Sequence, residues 1–152
     1  MSIYNGNIYL LDKGKNKIYK YIAGEEEFSN KIGYLKSSES IVLKEATSLA
    51  IDSSIYIGFP NYTVKFTAGV RDSFKTSFPN ENFYLNKVIT SKDLSKVYNW
   101  DKKNAAIYVL GKNGTYEREV RSAIFSRGSD VVVYDKAAYI LMKEKIYEVN
   151  LD

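Results

Sequence analysis

The chain has 152 residues, 45% of them apolar, with 22 basic and 18 acidic side chains and a formal net charge of +4. That is enough apolar material for one ordered domain, and the charge excess is too mild and too dispersed for the dense basic stripe of a nucleic-acid binder. Cysteine and histidine are both absent, which excludes disulfides and thiolate metal sites and removes the usual general base near neutral pH along with the commonest metal ligand.

Strand signals begin at once, with Ser2, Ile3, Tyr4 and Asn5 reading as an innermost strand met partway through. A hairpin follows at 7–12 and 17–24, then a more polar strand at 31–35. The same order returns as a short apolar strand at 47–52, a hairpin at 54–59 and 63–69, and a polar strand at 73–78. A third round runs through 87–90, the hairpin 96–100 and 106–110, and the polar strand 115–120. The fourth has its apolar strand at 130–135 and its hairpin at 138–142 and 145–149, and no outer strand follows it.

Tyr9, Tyr56, Tyr98 and Tyr139 occupy the same place in the four hairpins and stand 47, 42 and 41 residues apart. Such a period suits the four-stranded blade of a β-propeller. Helical repeats of similar length would carry apolar residues at i, i+3, i+4 and i+7, whereas these segments alternate at period two or form short apolar runs bounded by Asn, Gly, Asp and Pro. An apolar first strand and a polar last strand fix the order within each blade: the innermost strand is covered on both faces, and the outermost blunts its free edge with charge. The expected fold is therefore all-β, a propeller segment of about four antiparallel blades at roughly 1–40, 41–82, 83–122 and 123–152. A chain of this pattern is either a segment of a larger propeller or a unit that closes on itself or on a second copy. A compact four-bladed ring and a two-chain ring of eight blades both remain open at this point.

Two groups of segments carry a resemblance: Ile8 to Asp12 with Lys17 to Tyr21, and Ala46 to Asp52 with Lys65 to Gly69. Together with Lys145 to Asp152, they resemble the propeller-like C-terminal regions of large bacterial proteins, some of which carry a metal-dependent protein-phosphatase-like domain. The blade pattern is also similar to NHL-type and YVTN-type propellers, although no blade here has the Asn-His-Leu triplet. That resemblance implies an accessory propeller attached to something else, acting as a binding platform. It brings no phosphatase activity, because nothing of the phosphatase-like part is present.

Candidate ligand contacts lie in the hairpin turns, which a propeller places at one mouth of its axis. They are Lys13, Lys15, Lys102, Lys103, Lys143 and Lys145, with Phe59 and Tyr62 flanking Pro60 as an aromatic platform. Such a rim would attract an anionic partner: a polyanionic glycan, a nucleic acid or an acidic protein face. Solvated turns in a lysine-rich chain explain the same residues more simply, and a nucleic-acid partner is not expected.

Asp52, Asp101 and Asp135 recur near strand ends, where Asp makes turns by accepting backbone N–H groups. The run Glu25, Glu26 and Glu27 reads as a solvated loop. The stretch 111–114 (Gly-Lys-Asn-Gly) reads as a hairpin turn, since it lacks the spacing and the helix of a phosphate loop. No serine nucleophile elbow is present. The expectation is a non-catalytic binding or scaffold module with no cofactor and no metal, whose partner is another protein or its own parent chain. The alternative is a partial propeller that self-associates, as a homodimer, into a complete ring. No stretch is apolar enough to insert in a membrane, and nothing in the sequence assigns a compartment.

Overall fold

Each hairpin signal becomes the central pair of an antiparallel sheet. The computed structural model of the chain describes residues 1–78 and 82–152. Its first sheet is β1 (Ser2–Tyr4), β2 (Asn7–Asp12), β3 (Lys17–Tyr21) and β4 (Ile32–Gly33). The second is β5 (Ser48–Ile51), β6 (Ile55–Phe59), β7 (Tyr62–Thr67) and β8 (Val70–Arg71). The third is β9 (Lys87–Ile89), β10 (Lys96–Asp101), β11 (Ala106–Gly111) and β12 (Tyr116–Arg121). The fourth has three strands among the described residues, β13 (Asp130–Tyr134), β14 (Ala137–Met142) and β15 (Lys145–Asn150). Strand order follows chain order in every sheet, which is the up-and-down meander of a propeller blade. The fold is an all-β propeller of four blades.

Three apolar clusters knit the blades in sequence. Tyr9 and Ile18 of the first blade pack with Ile55, Ile57, Phe59, Val64 and Phe66 of the second. Ala50 and Tyr56 of the second pack with Val88, Val97 and Leu110 of the third. Tyr98, Trp100, Ile107 and Val109 of the third pack with Val131, Val133, Ala138 and Ile140 of the fourth. Consequently β6 is buried along its whole length, and β10 and β11 all but one residue each. That is why these strands read as nearly continuous apolar runs instead of alternating.

Repeat position governs which way a side chain points. The recurring tyrosine of each blade faces the following blade: Tyr9 joins the cluster shared with the second blade, Tyr56 that with the third and Tyr98 that with the fourth. Its flanking residues face the preceding blade, as Ile55 and Ile57 do in the second and Ala138 and Ile140 in the fourth.

Two elements depart from the sequence expectation. An outer strand was expected at 73–78, but the second blade's outer strand is β8, only two residues long. Ala68 and Gly69, at φ 51° and 80°, turn the chain back immediately after β7, in the left-handed conformation that tight hairpin turns require. Segment 73–78 is thereby released from the sheet, and Phe74 inserts beside Tyr56 with ring centroids 5.5 Å apart. The second departure is α1 (Ala123–Arg127), a short helix between the third and fourth blades. Ser122 caps it by accepting the Ile124 N–H at 3.4 Å. Phe125 is fully buried in the cluster shared by those two blades.

Candidate binding site

The four turns proposed as a rim each connect the second strand of a blade to the third, so they lie at the same end of their blades. Some of them divide between two depressions. Lys13 and Lys15 follow Asp12, whose Oδ1 accepts the Lys15 N–H at 3.0 Å. Lys15 lines a groove with Tyr62. Lys143 and Lys145 flank a separate depression with Arg127 and Tyr147. Lys102 and Lys103 line neither, and Lys103 Nζ instead donates to Asn82 Oδ1 at 3.0 Å. Phe59 is not an exposed platform: it is 2% exposed, in the core between the first two blades. Tyr62, 45% exposed, stacks on it at 4.6 Å with rings 15° apart. The aromatic surface offered to a ligand is therefore the outer face of Tyr62 alone, held flat by Phe59.

The groove that unites Lys15 and Tyr62 measures about 630 Å³ and runs between the outer halves of the first and second blades. Its apolar lining comes from Ile18, Leu35, Ile41, Val42 and Val64, and its charged lining from Lys15, Lys17, Lys36, Arg71 and Glu39. None of those four cations belongs to an ion pair among the described residues. Three hydrogen bonds fix the loop between the two blades, which forms one wall. Asn16 Oδ1 accepts the Leu43 N–H at 2.8 Å, the Tyr34 hydroxyl donates to the Phe66 carbonyl at 3.2 Å, and the Lys36 N–H donates to the Gly69 carbonyl at 3.0 Å. Leu43 is fully buried. The groove thus has a mixed polar and apolar lining with a cationic border, which suits a ligand combining acidic and apolar groups.

A second polar cluster lies at the opposite blade end, where sequence reasoning looked only for turns. Turn 111–114 is a hairpin turn, closed by the Gly114 N–H on the Gly111 carbonyl at 2.9 Å. Its Lys112 side chain reaches across to the second blade, where Nζ meets Asp52 Oδ2 at 2.7 Å, and within its own blade Nζ meets the Ser91 carbonyl at 3.2 Å and the Thr90 hydroxyl. Asp52 Oδ1 accepts the Ser53 and Ser54 N–H groups at 2.5 and 2.7 Å, and the Tyr56 hydroxyl donates to Oδ2 at 3.2 Å. Burial pushes the Asp52 carboxyl up, but the Lys112 and Ser54 hydrogen bonds and the Lys112 charge outweigh it and hold the group below the usual carboxylate range. Burial first, and then the Asp52 charge, push the Tyr56 hydroxyl well above its ordinary value.

Asp52 therefore makes its turn as expected and also anchors a bridge from the third blade, which no local pattern could announce across 60 residues of sequence. Asp101 is likewise occupied, accepting the Tyr84 and Asn104 N–H groups, each at 2.9 Å. Asp135 sits in the turn between β13 and β14 at φ 52°. The donors on Asp52 and Asp101 hold those two carboxylates in their turns.

Fold and groove together define a β-propeller with a preformed cleft between neighbouring blades. Among solved structures, the chain is similar to a streptogramin B lyase, with 16% identity, a TM-score of 0.56, and coverage of 96% of this chain and 51% of that one. It is also similar to virginiamycin B lyase from Staphylococcus aureus, with 14% identity, a TM-score of 0.59, and coverage of 96% and 52%. The chain thus spans about half the length of the solved propellers it matches. No family model and no curated protein matches the sequence. Among the described residues, no helix is long and apolar enough to cross a membrane.

Proposed function

We propose that the chain is a non-catalytic binding propeller, an accessory module of a larger protein, whose groove between the first two blades takes an acidic segment of a protein partner. The observation that carries this reading is the groove itself, with a mixed polar and apolar lining and four cations free of ion pairs among the described residues. A uniformly charged glycan or nucleic acid would leave Ile41 and Val42 facing charge, whereas an acidic peptide with apolar side chains satisfies both linings. The accessory role rests on the resemblance to bacterial C-terminal propeller regions. Lyase activity belongs to the solved neighbours, and the best-placed acids of this chain are committed to turns and to Lys112.

The test is fluorescence anisotropy with a short labelled peptide mixing glutamate and leucine, competed by heparin and by a single-stranded oligonucleotide. Binding should be saturable and should weaken with salt as exposed charge pairs are screened. Replacing Lys15 and Arg71 together by Ala should cost about tenfold in affinity, or ~1.4 kcal/mol. Equal binding by the double variant would place the contact elsewhere, and stronger binding of heparin or the oligonucleotide would overturn the choice of partner.

A further inference from the structure

The first and last blades each keep one apolar face uncovered. In the first blade, register places Ile3, Ile8 and Tyr21 in one cross-strand row, and Leu10 and Tyr19 in the next, on the face opposite the second blade. Ile3 is 65% exposed and Leu10 37%. In the fourth blade, Val132 pairs with Tyr139, and Leu141 with Ile146, on the face opposite the third blade. Val132 is 53% exposed, Leu141 42% and Ile146 67%.

The repeat says what each face is shaped to meet. Ile8 and Leu10 occupy the positions of Ile55 and Ile57, and of Ala138 and Ile140, all of them wholly buried against a preceding blade. Tyr139 occupies the position of Tyr9, Tyr56 and Tyr98, all buried against a following blade. The two uncovered faces are therefore the two halves of the junction that this molecule already makes three times. Charge agrees with that pairing. A shallow depression of about 250 Å³ on the fourth blade, walled by Tyr134 and Tyr139, carries Asp135 and Glu148, while Asp152 beside them is paired with Lys136 at 2.8 Å and with Arg118 at 3.6 Å. The first blade's face offers Lys31, whose Nζ lies 4.9 Å from the Tyr19 ring centroid.

We propose that a second copy of this chain covers both faces head to tail, so that each first blade packs on the partner's fourth blade and two four-bladed halves complete one ring. Two copies supply about as much chain as one of the solved propellers, of which a single copy spans 51–52%. A head-to-tail contact that closes after two copies leaves no apolar end to propagate. This inference is independent of the groove, which lies on the other side of the first blade.

Light scattering on a sizing column over a range of concentrations should show the mass rising from 17.4 kDa to twice that value and no further. Ile3→Glu and Ile146→Glu should each return the mass to that of one chain. Both positions are exposed, so unchanged circular dichroism separates lost assembly from lost folding. Because the chain has no cysteine, Leu10→Cys and Leu141→Cys create unique thiols. A bismaleimide should link the two variants to each other when they are mixed, and neither variant to itself. A single-chain mass at every concentration, growth beyond two copies, a dimer that survives both glutamate variants, or linking of either thiol variant to itself would overturn the proposal.

Discussion

One carboxylate, that of Asp52, answers to Lys112, Tyr56, Ser53 and Ser54 at once. Its side chain is only 12% exposed, so little water competes for those donors. Its pKa is depressed in the folded chain, so folding favours the ionised form. The resulting stabilisation is fully present above the unfolded value of roughly pH 4, and it is lost as pH falls through the lower folded value. Asp52→Asn keeps an oxygen for the two serine amides but strips Lys112 of its counter-charge. It should cost about 1–3 kcal/mol near neutral pH. In urea titrations the gap between wild type and variant should be widest at pH 6 and should narrow as the pH is taken below 4. A gap independent of pH would mean that the charge of Asp52 contributes nothing to the bridge.

Among the elements, α1 is the one that no repeat supplies. It sits where the chain leaves the third blade for the fourth, and it fills the space between them with Phe125, whose carbonyl accepts the Trp100 indole N–H at 3.0 Å. Phe125→Ala should destabilise the chain by about 3–5 kcal/mol. Trp100 is the sole tryptophan, so its emission should shift to the red as water reaches the junction. An unchanged spectrum with unchanged stability would show that α1 is peripheral. The sequence could hardly announce this helix, because five residues are too few to display a period of 3.6 and only the Ser122 cap hints at it. β8 was hidden for a related reason. A two-residue strand has no alternation to read, and Ala68 and Gly69 look like the end of a strand when they are in fact its reversal.

Across the whole molecule, what was legible is what recurs. Tyr9, Tyr56, Tyr98 and Tyr139 announced the four blades because each holds the same register position in its hairpin, and three of them are buried in the same kind of inter-blade junction. The polar outer segment was legible at β12, where a free edge selects charge. The candidate groove was legible only in part. Lys15 and Tyr62 were singled out from their turns, but Lys17, Lys36 and Arg71 join them through packing between two blades. Phe59 had to be buried before Tyr62 could be presented. Lys112 shows the general limit: a contact made once, between a turn of one blade and a strand end of another, has no repetition to betray it.

The double-sided burial of β6, β10 and β11, set against the one-sided burial of β2 and β14, also has a meaning in time. An amide exchanges with solvent only when its surroundings open, and opening is slowest where both faces of a strand must be uncovered together. Deuterium uptake should therefore be graded along the chain, slow through the middle two blades and faster through β1, β2, β14 and β15. At dilutions that keep the chains apart, that gradient is fixed. As concentration rises, the two ends should slow while the middle keeps its own clock, so the exchange pattern would register how long a terminal blade stays covered.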